Sequence, residues 1–146
     1  MKVAVTGGIG LIGTACCELL LKNGYEVISI DNNLRKKFLG YEANNIKNIK
    51  SNDFFKDVEM VNADIRDKKI MSKIIKKVDA VIHCAAQTSH PKSLEIPLED
   101  FSINAWGTLQ LLELVRQLNP TIPFAFMSSN KVFGDYPNYF DYKIIR

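Results

Sequence analysis

The sequence has no apolar run long enough to cross a membrane, and it contains only three cysteines and two histidines. A transmembrane helix needs about 20 consecutive apolar residues, so we do not expect a membrane protein. Cys16, Cys17 and Cys84 are odd in number and lack the spacing of metal ligands. The net charge of +3 is small and the lysines are scattered, which argues against a nucleic-acid partner. We therefore expect a cytoplasmic protein with reduced thiols, no bound metal and no signal peptide.

Short apolar runs alternate with helical patterns along the chain. Hydrophobic residues make up 47% of the 146 positions, which is enough for one core. Five strands are predicted, at Lys2–Thr6, Glu26–Ile30, Val58–Asn62, Ala80–Cys84 and Phe124–Ser128. Three helices are predicted, at Leu11–Lys22, Asp67–Lys76 and about Leu98–Leu118. Because such strands pair in parallel through right-handed crossovers, we expect an α/β fold of the Rossmann type, a doubly wound sheet with strand order 3-2-1-4-5.

Glycines occupy the turn between the first strand and the first helix. Gly7, Gly10 and Gly13 form G-x-x-G-x-x-G, and Asp31 follows 18 residues later at the end of the second strand. Glycines at such a turn let backbone amides approach a pyrophosphate, which the helix N-terminus attracts. A carboxylate at that later position accepts hydrogen bonds from ribose hydroxyls. The pattern predicts dinucleotide binding, and the alternative is a tight turn with no ligand.

Three regions of the fold are less regular. The Asn- and Lys-rich segment Asn32–Asp57 predicts a loop with one short helix at the edge of the adenosine site. The long helix has apolar residues at Leu109, Leu112 and Val115, with the stripe widened by Leu111, Leu114 and Leu118. After the fifth strand, Asn130–Arg146 shows no further helix–strand unit. We therefore expect residues 1–146 to form an incomplete dinucleotide-binding domain, truncated after strand five and without a substrate domain.

Six short motifs follow in order along the chain. They are Thr6-Gly7-Gly8-Ile9-Gly10-Leu11-Ile12-Gly13, Asp31-Asn32-Asn33, Asp64-Ile65-Arg66, His83-Cys84-Ala85-Ala86-Gln87, Asn104-Ala105-Trp106-Gly107-Thr108 and Ser128-Ser129-Asn130-Lys131-Val132-Phe133-Gly134. Together they resemble the extended short-chain dehydrogenase/reductase family, the NAD-dependent nucleotide-sugar epimerases and dehydratases. The resemblance covers the whole chain but only the front half of such an enzyme.

The resemblance implies NAD as cofactor and a CDP- or UDP-linked sugar as substrate, and it leaves assembly into a homo-oligomer open. It implies transient oxidation of a sugar carbon, in which a Tyr takes the hydroxyl proton and a Lys four residues later supports it. Ser129 matches the family's catalytic Ser or Thr. The positions that match cofactor contacts are Gly7, Gly10, Leu11, Ile12, Gly13, Asp31, Asn32, Asp64, Ile65, Ala85, Ala86, Gln87, Asn104 and Ser128.

Four of the polar residues have alternative interpretations. Asp64 either meets the adenine amino group or caps the following helix. Asn104 either contacts the cofactor or bridges to the neighbouring strand, because a buried amide must be hydrogen-bonded. His83 on an apolar strand is typical of a satisfied core histidine rather than a ligand. His90 lies in a polar loop above the crevice, where it either touches substrate or is solvated.

Two pairs near the C-terminus bear on the reaction. Tyr139 and Lys143 have the spacing of the family's Tyr–Lys pair, but Tyr139 follows Ser129 by only 10 residues and no helical pattern precedes it. We interpret it as loop packing and expect the true pair to be absent. Asn130-Lys131 stand where sugar 4,6-dehydratases have two carboxylates, which favours an epimerase. The stretch resembles the CDP-paratose 2-epimerase subfamily; the alternatives are a UDP-glucose 4-epimerase-like enzyme and a non-catalytic dinucleotide-binding module.

Overall fold

The computed structural model describes residues 1–129 and 132–141. The strands are β1 Lys2–Thr6, β2 Glu26–Ile30, β3 Glu59–Val61, β4 Ala80–His83 and β5 Phe124–Phe126. The α-helices are α1 Leu11–Lys22, α2 Leu34–Leu39, α3 Ile46–Ser51, α4 Lys68–Ile75, α5 His90–Glu95, α6 Pro97–Phe101 and α7 Gly107–Leu118. Short 3₁₀ helices cover Tyr41–Ala43, Asp53–Asp57 and Tyr136–Tyr139, and a π-helical segment covers Ser102–Trp106.

All five strands form one parallel sheet with the order β3-β2-β1-β4-β5. The predicted strand order is therefore confirmed. β1 lies at the centre, where Val3 is opposite Val27 on one side and Ala80 on the other. Because the strands are parallel, their carboxyl ends meet at one edge of the sheet, and this edge is where ligands bind in open α/β sheets.

The two faces of the sheet carry separate cores. On one face, Ile28 and Val81 pack with Met71 of α4 and Leu111 of α7, and all four side chains are at most 1% exposed. On the other face, Val3 and Val5 pack with Cys17 of α1 and Phe55. Helices therefore cover both faces, as the prediction of a doubly wound sheet required.

The predicted long helix from about Leu98 to Leu118 is present as one continuous helical run over 97–118, in which α6 passes through the π-helical segment into α7. The predicted apolar stripe is partly wrong, because Leu109 is 57% exposed and Leu112 is 43% exposed, whereas Leu111 is buried. Gly107 explains which side of α7 faces the core. A Cβ at this position would lie 2.8 Å from Ile65 Cδ1, so the side of the helix that carries Gly107 packs closest to the core.

The segment Asn32–Asp57 has more structure than the single short helix that was predicted. It holds α2 and α3 together with two 3₁₀ helices. Asparagine side chains organise it: Asn33 adopts a left-handed backbone with φ 53°, and its Oδ1 accepts from the Asn45 amide at 3.0 Å. Asn48 Nδ2 then donates to the Ile9 carbonyl oxygen at 2.6 Å, which fastens the segment to the glycine turn.

His90 was predicted in a loop, but it begins the short helix α5. The Ser89 side chain caps this helix by accepting from the Lys92 amide, and Pro91 stands in the first turn, where its missing N–H costs nothing. No helix within residues 1–129 and 132–141 has the length and apolarity that crossing a membrane requires.

Candidate cofactor site

The glycine turn between β1 and α1 is fixed by backbone contacts that no side chain would permit. Gly7 has φ +68°, and its N–H donates to the Ile30 carbonyl oxygen at 2.8 Å. A Cβ on Gly7 would lie 2.7 Å from the Ala85 nitrogen, and a Cβ on Gly13 would overlap the Gly7 carbonyl oxygen. Glycine is therefore required both for the turn and for the close approach of α1.

The N-terminus of α1 points free amides at the carboxyl edge of the sheet. Among the described residues, the amides of Leu11, Ile12 and Gly13 donate to no backbone acceptor, as expected for the first turn of a helix. The side chains of Leu11 and Ile12 are 84% and 52% exposed. These amides and the helix dipole favour an anionic group such as a pyrophosphate.

Asp31 follows β2 directly and faces the glycine turn. Its Oδ1 accepts from the Asn33 amide at 2.7 Å, and its Oδ2 accepts from the Ile9 amide at 3.4 Å. Burial raises the pKa of this carboxyl, and the two amide donors partly offset the rise. The second strand thus places a carboxylate beside the turn, with acceptor capacity left for hydroxyl donors.

Asp64 follows β3 and is held by Arg66. Arg66 Nε lies 2.9 Å from Oδ1 and Nη2 lies 2.7 Å from Oδ2, and Asn32 Nδ2 also donates to Oδ2 at 3.0 Å. The hydrogen bonds from Arg66 hold the pKa of Asp64 below its usual range. The interpretation of Asp64 as a helix cap is wrong, because α4 is capped by Asp67, whose side chain accepts from the amides of residues 69 and 70.

The segment after β4 runs directly under the glycine turn. Asn104 of the π-helical segment holds this loop, since its Oδ1 accepts from the Gln87 amide at 2.8 Å and its Nδ2 donates to the Gln87 carbonyl at 2.9 Å. The Gln87 side chain donates to Asp100 Oδ1 at 2.8 Å. The carboxamide of Asn104 is therefore occupied in bridging to the strand-four segment, and its contact with a cofactor stays a prediction.

His83 ends β4 and is buried with its ring nitrogens beside two hydroxyls. Nδ1 lies 2.6 Å from Thr6 Oγ1, and Nε2 lies 2.9 Å from Thr108 Oγ1. Burial lowers the pKa of His83 to about 4, so the ring is neutral at physiological pH. This arrangement fits the interpretation of His83 as a core histidine.

These elements enclose a cavity of about 300 Å³ at the carboxyl edge of the sheet. Every predicted cofactor-binding residue lines it except Asn104 and Ser128. The sequence did not single out the further lining side chains Leu34, Phe38, Leu39 and Asn45, which come from the segment after β2. Of these, the apolar residues on α2 recur at helical spacing, a signal hidden by the surrounding asparagines and lysines.

The C-terminal candidates lie elsewhere. Ser128 and Ser129 follow β5 and are exposed, and neither lines the cavity. Tyr139 is 80% exposed at the end of a 3₁₀ helix, where the neighbouring Tyr136 and Phe140 rings pack edge to face at 4.8 Å. Asn130, Lys131 and Lys143 lie outside the described residues.

Cysteines form no metal centre in the part of the chain that the structure describes. Cys16, Cys17 and Cys84 are free, and no cluster of three or more potential metal ligands occurs in that part. Burial raises the pKa values of Cys17 and Cys84 to about 12, which keeps both thiols protonated.

Comparison with known proteins identifies the family. A family model described as GDP-mannose 4,6 dehydratase matches residues 4–141, which is most of the chain. The chain belongs to this family of nucleotide-sugar epimerases and dehydratases. The resemblance drawn from the six motifs is therefore confirmed.

Three epimerase/dehydratase relatives show the extent of the similarity. The chain is 37% identical to CDP-paratose 2-epimerase of Salmonella typhi, over 95% of this chain and 40% of that protein. It is 40% identical to a putative UDP-glucose 4-epimerase of Methanocaldococcus jannaschii, over 94% of this chain and 41% of that protein. The UDP-glucose-4-epimerase structure from Stenotrophomonas maltophila holds NAD and formylated UDP-arabinopyranose; it matches at TM-score 0.72 and 31% identity, over 92% of this chain and 38% of that one. The chain thus spans about 40% of the length of these relatives.

Proposed function

We propose that this chain is the NAD-binding part of a nucleotide-sugar epimerase that acts by transient oxidation of a sugar carbon. One observation carries the proposal: the glycine turn, the free amides of α1 and the Asp31 carboxylate converge on a single cavity. Anion-binding amides next to a ribose-binding carboxylate are the two halves of a dinucleotide site.

The residues present fit NAD. The amides of Leu11, Ile12 and Gly13 would hold the pyrophosphate, and Asp31 would accept from the ribose hydroxyls. The adenine would lie near Asp64 and Ile65, and Ala85 and Ala86 offer a backbone with small side chains for the other half of the cofactor. When bound, NAD supplies a hydride acceptor that can return the hydride to the sugar. The protein's own contribution is to bind and orient the cofactor.

Cofactor choice tests this proposal. A carboxylate repels a 2′-phosphate and accepts from a free 2′-hydroxyl, so we expect NAD to bind more tightly than NADP in calorimetric titration. Asp31→Asn should weaken NAD binding by about tenfold, the effect of about 1.4 kcal/mol. Asp53→Asn is the matched control, because the Asp53 side chain is 94% exposed and pairs only with Lys56 in the contacts described. Tighter binding of NADP, or unchanged NAD binding by Asp31→Asn, would contradict the proposal.

For the substrate, we favour a CDP-paratose 2-epimerase-like reaction, supported by the stretch that begins at Ser128. The reaction leaves a nucleotide sugar with one inverted centre, and Ser129 would steady the reacting oxygen. This chain alone is expected to convert neither sugar, because the general base and the sugar-binding half are absent from it. A full-length protein that contains these residues is therefore incubated with CDP-tyvelose and with UDP-glucose, and NMR of the products separates this substrate from a UDP-glucose 4-epimerase-like one. A 4-keto-6-deoxy sugar as the main product would contradict epimerisation.

The second candidate is a dinucleotide-binding module that does not turn over substrate. The position of Tyr139 favours it, since this side chain is exposed and does not line the cavity. The coding sequence that follows Arg146 separates the two: a sequence without a Tyr-x-x-x-Lys pair would support the module, and a sequence that encodes the pair would favour the epimerase. Conversion that disappears in Tyr139→Phe would assign that tyrosine to catalysis and refute the module.

A further inference from the structure

The ring of His83 joins three elements beneath the cofactor cavity. It ends β4, lies opposite Thr6 of β1 in the sheet register, and is 1% exposed. Its Nδ1 meets the Thr6 hydroxyl and its Nε2 meets the Thr108 hydroxyl on α7. The centroid of the His83 ring also lies 5.8 Å from the centroids of the Phe124 and Phe126 rings of β5. Each ring nitrogen thus has a hydroxyl partner within the protein.

The neighbouring contacts fix the direction of each hydrogen bond in the series that runs through His83. The Thr108 hydroxyl donates its one proton to the Asn104 carbonyl oxygen at 2.6 Å, so Thr108 Oγ1 must accept from His83 Nε2–H. A neutral ring with its proton on Nε2 has a lone pair on Nδ1, which then accepts from the Thr6 hydroxyl. Thr6 Oγ1 in turn accepts from the Ala85 amide at 3.2 Å.

This series of hydrogen bonds ends at the Ala85 amide, beside the cofactor cavity. Ala85 lines the cavity. Its backbone nitrogen lies so close to the glycine turn that a Cβ on Gly7 would be only 2.7 Å from it. We propose that His83 is a positioning residue, fixed as the Nε2–H tautomer, which aligns the Thr6 hydroxyl so that it holds the Ala85 backbone against the glycine turn. The effect on affinity rests on the proposed NAD function, whereas the tautomer does not.

Two measurements test the proposal on the whole chain. The nitrogen chemical shifts of the His83 ring, read by ¹⁵N NMR, should show a protonated Nε2 and an unprotonated Nδ1. In calorimetry, Thr6→Val should weaken NAD binding by about tenfold, because it removes the acceptor of the Ala85 amide while keeping the side-chain shape. Thr6→Ser keeps the hydroxyl and should restore binding, and Thr121→Val, at an exposed position, is the matched control.

The outcomes separate the possibilities. A wild-type ring protonated on Nδ1, or on both nitrogens at neutral pH, overturns the proposal, and so does a folded Thr6→Val that binds NAD as tightly as the wild type. If Thr6→Val does not fold, Thr108→Val decides: loss of the Nε2 acceptor should let the Nδ1–H form appear, and an unchanged spectrum overturns the chain of bonds. Absence of NAD binding by the wild type would refute the proposed function alone, since the NMR result needs no cofactor.

Discussion

Acidification from pH 7.5 to pH 5 is expected to remove about 2 kcal/mol from the free energy of unfolding through His83 alone. Burial lowers the pKa of this imidazole from 6.5 to about 4 in the folded protein. Between these two values the unfolded chain binds a proton that the folded chain does not. The contribution of His83 is therefore complete above pH 6.5 and is lost as the pH falls toward 4, by about 1.4 kcal/mol per pH unit.

The assay is urea unfolding at half-unit pH steps, for the wild type and for His83→Asn. The variant is expected to be less stable at pH 7.5 because it leaves the Thr6 and Thr108 hydroxyls with altered partners. Groups common to both proteins cancel in the difference between the two curves. That difference should shrink by about 2 kcal/mol between pH 7.5 and pH 5. Parallel curves would show that His83 titrates alike in both states and would refute the reasoning.

Two further predictions concern packing and the glycine turn. Leu111→Ala should lower the free energy of unfolding by about 2–5 kcal/mol, because Leu111 is fully buried. Leu109→Ala, at an exposed position of the same helix, should lower it by less than about 1 kcal/mol. Equal losses in denaturant unfolding would contradict the observed orientation of α7. Gly7→Ala should abolish nucleotide binding in calorimetry, because its Cβ would collide with the backbone of the segment after β4. Gly24 has φ +77° but open space around it. Gly24→Ala should therefore lower the free energy of unfolding by about 1–2 kcal/mol and leave NAD affinity unchanged.

Local patterns were sufficient to predict much of the fold and of the candidate site. β1, β2 and α1 have the predicted bounds, because an apolar β-branched run and a glycine turn each leave one reasonable conformation. The positions of Gly7 and Asp31 followed from the same reasoning. Parallel pairing brings the remaining strand ends to one edge of the sheet, which is why motifs distant in the sequence can be expected at one cavity.

The failures have a common physical cause, which is contact between segments distant in sequence. α7 is apolar on more than one side, so periodicity alone could not choose between Leu109 and Leu111. The close approach of Gly107 to Ile65, and the hydrogen bond between Thr108 and His83, make that choice. The segment between β2 and β3 is likewise ordered by asparagine side chains that bond across 11 or more positions, which no local propensity reveals.

The two outer strands of the sheet differ in how they meet their surroundings. β3 pairs with β2 and carries Glu59, whose Oε2 lies 2.9 Å from Lys2 Nζ. Charged side chains therefore lie at the β3 edge of the sheet. β5 pairs with β4 and presents Phe126, which is 57% exposed. Within the described residues, its far side carries backbone donors and acceptors next to apolar side chains, the combination that recruits a foreign strand. Of the two outer strands in the part of the chain that the structure describes, β5 therefore has the more apolar edge and β3 the more charged one.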